Sequence, residues 1–181
     1  MTDVRVATLL PSATETLFAL GVEPVGVSHS CDYPPVARDL PTLTSTAVDH
    51  DDRSASDIDA QMRSVDGAVY DLDVDRLAAL EPNLVVTQAT CDVCAVDASA
   101  VREAVASIDS APEVLTLDPH AFEDVLDDVT RLGEAVDRPD AAEALTDRLR
   151  ARVDRVREHA ADAVAAEGRP RTAVLDWTDP P

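Results

Sequence analysis

Three features of the sequence predict an α/β fold, a parallel sheet with helices on both faces. Short runs rich in Val and Leu alternate with stretches of helical periodicity along most of the chain. One of these runs, Leu84-Val85-Val86-Thr87-Gln88, is a continuous β-branched segment of the kind buried on both faces of a parallel sheet. The connections between runs are long enough to hold helices, which implies right-handed βαβ crossovers and a Rossmann-like lobe.

The run 5–10 reads as the first strand, and Pro11-Ser12 turns it into a helix. Ser12 is expected to cap that helix, with Glu15 completing a capping box. Leu17, Phe18 and Leu20 supply its apolar side and Gly21 a left-handed stop. Residues 24–28 form the next strand candidate, which delivers the loop 29–35, His-Ser-Cys-Asp-Tyr-Pro-Pro. Its two prolines hold the chain extended and limit its backbone hydrogen bonding, so the loop presents side chains. Residues 44–56 are polar and irregular, a surface loop expected to cover a cleft. A helix over 56–65 places Ile58, Met62 and Val65 on one face. A minimal strand at 69–70 follows, then a helix over 74–80 capped by Asp73 and ended by Pro82. The strand 84–88 feeds the loop Cys91-Asp92-Val93-Cys94. A helix over 98–108, a strand over 114–117 and a helix over 122–136 complete the alternation. Pro139 suits the first turn of a long helix reaching about residue 166 and spanning roughly 40 Å, more than one lobe requires. Residues 171–177 start a further strand.

Composition narrows the partners. The formal net charge is -21, and nucleic acid or an anionic membrane would repel such a chain. Every basic residue is Arg, and the excess of Asp resembles the solvated surface of a protein from a high-salt cytoplasm, where screening tolerates self-repulsion. Hydrophobic residues make up 45% of the chain and recur in blocks, which excludes a disordered acidic protein. No apolar window approaches the roughly 18 residues of a membrane span, so no membrane insertion is expected. The first residues lack the pattern of a secretion signal, so the expected location is the cytoplasm, or an extracellular, membrane-associated one if a leader has been removed.

Catalytic constellations are not recognisable. Ser12 lacks the flanking glycines of a nucleophile elbow, and neither a Gly-x-Gly-x-x-Gly nor a Walker loop occurs, so an enzyme is not expected. Ligands of open α/β sheets gather beyond the carboxyl ends of the strands, where the 29–35 and 91–94 loops are expected to emerge. If their strands are neighbours, His29, Cys31, Cys91 and Cys94 form a set suited to zinc or iron. The alternatives are that the cysteines fill the core, or that Cys91 and Cys94 act as a redox dithiol. Tyr33 is one of few aromatic residues and is placed either to pack against a flat ring or to anchor its loop. His50 and His120 read as solvated residues, and Trp177 has no assigned role.

A family resemblance joins these segments. Leu-Leu-Pro-Ser-Ala-Thr-Glu-Thr-Leu-Phe-Ala-Leu-Gly, then Val25-Gly26-Val27-Ser28 and Asp32-Tyr33-Pro34-Pro35, resembles the opening of the substrate-binding proteins of ABC importers for cobalamin, haem and iron siderophores. The segment Leu80-Glu81-Pro82-Asn83-Leu84-Val85-Val86 resembles that family's Leu-x-Pro-Asp-Leu-Val motif, with Asn83 in place of Asp. Cobalamin binders match best, and the chain looks like a haloarchaeal-type acidic member. The resemblance implies an N-terminal ligand-binding lobe over 1–138, a rigid interlobe helix over 139–168, and the truncated start of a second lobe over 169–181. It implies capture of cobalamin or another metal chelate for an ABC permease, with no cofactor required. The loop Ser28, His29, Ser30, Cys31, Asp32 and Tyr33 would contact the ligand, and Pro11, Ser12, Ala13 and Thr14 would border the cleft. Asp75 matches the acidic residue that docks on permease arginines, although first-turn helix chemistry accounts for it equally. The second hypothesis is a cytoplasmic metal- or thiol-dependent protein built on Cys31, Cys91 and Cys94.

Overall fold

The computed structural model describes residues 4–48, 52–65, 69–90 and 96–174. In chain order the first elements are β1 (Val6–Thr8), α1 (Pro11–Ala19), a 3-10 turn (Pro35–Asp39), β2 (Thr44–Thr46), α2 (Ala55–Ser64), β3 (Tyr70–Leu72) and α3 (Val74–Ala79). They are followed by β4 (Leu84–Gln88), α4 (Ala98–Ala106), β5 (Glu113–Leu117), α5 (Phe122–Ala135) and α6 (Pro139–Glu167).

β4 lies at the centre of a parallel sheet of order β1-β4-β5, in the register Val6↔Leu84 on one side and Leu84↔Glu113 on the other. Its β-branched run is explained by this position, because successive side chains enter opposite cores. Leu84 and Val86 pack with Val6, Leu17, Leu117, Val129 and Leu132 under α1, α5 and α6. Val85 packs with Ala7, Leu9, Leu77, Val101 and Val105 under α3 and α4. Helices therefore cover both faces, as the alternation of runs predicted.

Several boundaries depart from the sequence reading. The expected strand over 24–28 is reduced to single bridges, Ala7↔Gly26 and Val27↔Thr42, although it runs parallel to β1. Part of the expected 44–56 loop is a strand, since β2 pairs antiparallel with β3 from Thr44↔Leu72 to Thr46↔Tyr70. Those threonines are too polar to announce a strand, and the ladder that defines it comes from partners distant in the chain, Leu72 and Tyr70. Ser12 does not cap α1. Leu10 is the N-cap residue, without a side-chain bond, because Pro11 opens the helix at a position where its missing N–H costs nothing. Gly21 does end α1, with φ of +76°, and the bonds Gly21 N–H to Phe18 O and Val22 N–H to Leu17 O close a Schellman turn. α2 begins one residue before its expected start, under a reciprocal Ser54–Asp57 capping box. The helix buries no residue completely; Ile58, Met62 and Val65 are half-buried along one side.

α6 is 29 residues long, about 43 Å. Its first half packs on α5, and Ala142, Leu145 and Leu149 join the core on that side of the sheet. From Asp154 to Val174 every residue is exposed. Of the strand expected over 171–177, the described part, 171–174, pairs with nothing in the sheet.

Candidate ligand-binding site

The carboxyl ends of the parallel strands place two connections on one rim. A cavity of about 110 Å³ there is lined by Leu9 and Pro11 after β1, Ser28, His29 and Ser30 from the next loop, Thr44 and Tyr70 from the β2–β3 ribbon, and Val96. Val96 is the first described residue after the 91–94 loop, so the chain leaving β4 returns to the same cavity as His29. Cys91, Asp92 and Cys94 lie outside the described residues, as do His50 and Trp177.

Local bonding holds the loop 28–33 open. Ser28 is buried, and its hydroxyl accepts from the Ser30 N–H at 3.1 Å. The His29 N–H donates to Thr44 Oγ1 at 3.0 Å, and its Nδ1 stands 2.7 Å from the same hydroxyl. The imidazole leans on Tyr70, with ring centroids 5.4 Å apart and planes inclined by 31°. A neutral donor and acceptor therefore orient His29, while its ring edge stays on an exposed loop. Beyond it, Asp32 pairs with Arg38 at 3.3 Å on the surface. Tyr33 precedes a cis bond to Pro34 and is 62% exposed, a large flat ring with little of its area covered.

Other expected site residues turn inward. Ala13 and Thr14 are fully buried, and Cys31 is 4% exposed. The Cys31 sulfur lies 3.1 Å from Thr14 Oγ1, which lies 2.5 Å from Thr8 Oγ1. This hydroxyl–hydroxyl–thiol chain ties the loop to α1 and β1, and it takes the Cys31 side chain away from the rim. The expected His29–Cys31 pairing is thus divided between two sets of hydrogen-bond partners. Among the described residues no group of three or more His, Cys, Asp or Glu side chains is arranged to hold a metal ion. Of the residues expected to border the cleft, Pro11 reaches this cavity, whereas Ser12 is exposed on the other side of the first helical turn and lines a separate pocket. Asp75 is exposed in the first turn of α3, next to the Asp73 cap that accepts from the Arg76 N–H.

Sequence reasoning missed Thr44, Tyr70 and Val96. Tyr70 carried a usable signal, being one of two tyrosines in the chain, but its proximity to His29 depends on the β2–β3 pairing. Near Val96, Asp97 caps α4. Bonds from the Ser99 side chain first, then from the Ala100 and Ser99 N–H groups, hold its carboxyl below the usual range.

A family model described as periplasmic binding protein matches residues 6–175. The chain belongs to this family. Its curated relatives include the vitamin B12-binding protein of Salmonella paratyphi A (strain ATCC 9150 / SARB42), 33% identical over 82 residues that cover 45% of this chain and 22% of that protein. Among solved structures, the periplasmic heme-binding protein BhuT in complex with two hemes aligns with a TM-score of 0.60 and 28% identity, over 90% of this chain and 50% of that one. The vitamin B12-binding protein BtuF of Vibrio cholerae aligns with a TM-score of 0.59 and 18% identity, over 87% of this chain and 51% of that one. The latter likeness shows the fold alone. The chain spans about half the length of these solved family members and matches 22% of the curated relative. The family is one of binding proteins rather than enzymes. No described helix is long and apolar enough to cross a membrane.

Proposed function

We propose that this chain forms a ligand-binding lobe that captures cobalamin or a related metal chelate for an ABC importer. The observation that carries the reading is the 33% identity to a vitamin B12-binding protein, within a family match that covers both the loop 28–33 and the cavity beside it. The heme-binding protein among the structural neighbours, 28% identical, supports the broader class of flat metal chelates. On this reading Tyr33 packs against the ligand ring, Ser28, His29 and Ser30 border it from below, and Asp32 stands at its edge. Residues 1–138 serve as the lobe, 139–168 as a rigid interlobe strut and 169–181 as the start of a second lobe. Asp75 docks on the permease. Of the two locations expected, the extracytoplasmic one agrees with the family description.

Cyanocobalamin titration followed by its visible absorbance tests the proposal. The expected result is saturable binding that weakens about tenfold in Tyr33→Ala, the loss of one aromatic contact, with no change in thermal stability because the ring is exposed. Equal affinity in the variant would remove Tyr33 from the site. Absence of saturation with cobalamin, haemin and a ferric siderophore alike would overturn the ligand class.

A further inference from the structure

A second cavity, of about 170 Å³, lies on the opposite side of the first turn of α1. Pro11 lines the cavity described above, whereas its neighbours Leu10 and Ser12 line this one. Most of the wall is apolar, from Leu10, Leu117, Val125, Val129 and Leu132, and one charged group stands in it, Asp128. The space is ample for a small organic group of several heavy atoms.

Asp128 is 8% exposed. Its Oδ1 accepts from Arg131 Nη1 at 2.8 Å, and the guanidinium is anchored by a second bond, from Nη2 to Thr116 O at 3.0 Å. Oδ2 has no hydrogen-bond partner among the described residues. No described side-chain nitrogen or oxygen is both fully enclosed and unpartnered, so Oδ2 must open on free space. A carboxylate oxygen with one side bonded and the other facing an apolar cavity wants a donor there. Burial already pushes its carboxyl above the usual range despite Arg131, with Asp124 and Asp127 adding to the rise.

We infer that this cavity is a distinct binding pocket for a primary carboxamide on a short apolar stem. The amide N–H donates to Asp128 Oδ2, the stem lies against Val125, Val129 and Leu132, and the amide oxygen accepts from the Ser12 or Thr90 hydroxyl on the rim. A carboxylate of the same shape is repelled by Asp128. An ammonium must give up its hydration to enter a mostly apolar wall, where the one carboxylate is already shared with Arg131. The source is either a free small amide or an amide arm of a larger ligand held in the neighbouring cavity.

Methyl NMR of the full chain with propionamide, propionate and n-propylammonium tests this inference without relying on the proposed function. Propionamide should shift the Val125, Val129 and Leu132 methyls saturably, with the other two binding about tenfold more weakly or less. In Asp128→Asn the side-chain oxygen goes to Arg131 and its NH2 faces the cavity, so the acceptor becomes a donor and the preference should pass to propionate. Val125→Phe, at a partly exposed position, fills the space and should abolish the shifts with the fold intact. Displacement of propionamide by cyanocobalamin identifies an arm of the larger ligand as the source; simultaneous occupancy identifies a free amide. Equal binding of propionamide and propionate, an unchanged preference in Asp128→Asn, or shifts confined to the Leu9 and Val96 methyls of the first cavity would overturn the inference.

Discussion

Asp97 and Asp128 show how the same side chain is displaced in opposite directions by its surroundings. Asp97 is on the surface but accepts three hydrogen bonds at the start of α4, led by the Ser99 hydroxyl, which favour its ionised form. It stabilises the fold above the usual carboxylate value of 3.8, and that contribution is lost as pH falls through its lowered value. Asp128 is governed first by burial, which favours the neutral form, and only partly offset by Arg131. Its contribution is therefore full below 3.8 and declines as pH rises through its raised value. Carbon-detected titration of the side-chain carboxyls should place the Asp97 midpoint below 3.8 and the Asp128 midpoint above it. The reverse order would show that neither environment acts as described. Neither displacement was read from the sequence: the helix expected over 98–108 left its cap unassigned, and nothing local distinguishes Asp128 from Asp127 beside it.

At the scale of elements, α5 and α6 meet at a contact that leaves no room for another methyl group. A Cβ on Gly133 would lie 2.4 Å from the Ala142 Cβ and 3.0 Å from the Arg138 carbonyl, which is backbone and yields little. Gly133→Ala should force the two helices apart and cost about 1–3 kcal/mol, read as a Tm lowered by several degrees. Combining it with Ala142→Gly removes the opposing methyl. The double variant should be more stable than the two single losses predict when added, and strict additivity would refute the contact. β4 and α6 were visible beforehand because their patterns are long and self-consistent. β2 was not, because the ladder to β3 that defines it lies elsewhere in the chain. Ser12 was assigned to the cap by a rule of side-chain chemistry, and Pro11, with its restricted φ, set the helix start two residues earlier, with Leu10 as the N-cap.

For the whole molecule, burial ends well before the chain does. The two cores that sandwich the sheet draw on residues from Val4 to Leu149, and every residue from Asp154 to Val174 is exposed. Removing the residues after Asp154 should therefore leave one cooperative unfolding transition with a Tm within about 2 °C of the full chain, since almost no apolar area leaves the cores. A shift of ten degrees or more would mean that the distal half of α6 is covered in solution.

The α/β class, the central strand, the long terminal helix and membership of a binding-protein family could all be read from the order of residues. These follow from periodicity and from motifs that each occupy one short segment. It took the packed molecule to reveal that His29 faces Thr44 and Tyr70, that Cys31 turns to Thr14, and that Asp128 stands in an apolar cavity. Each of those outcomes depends on side chains brought together from separate elements, and the direction a side chain takes at a strand end is set by the partners it meets there.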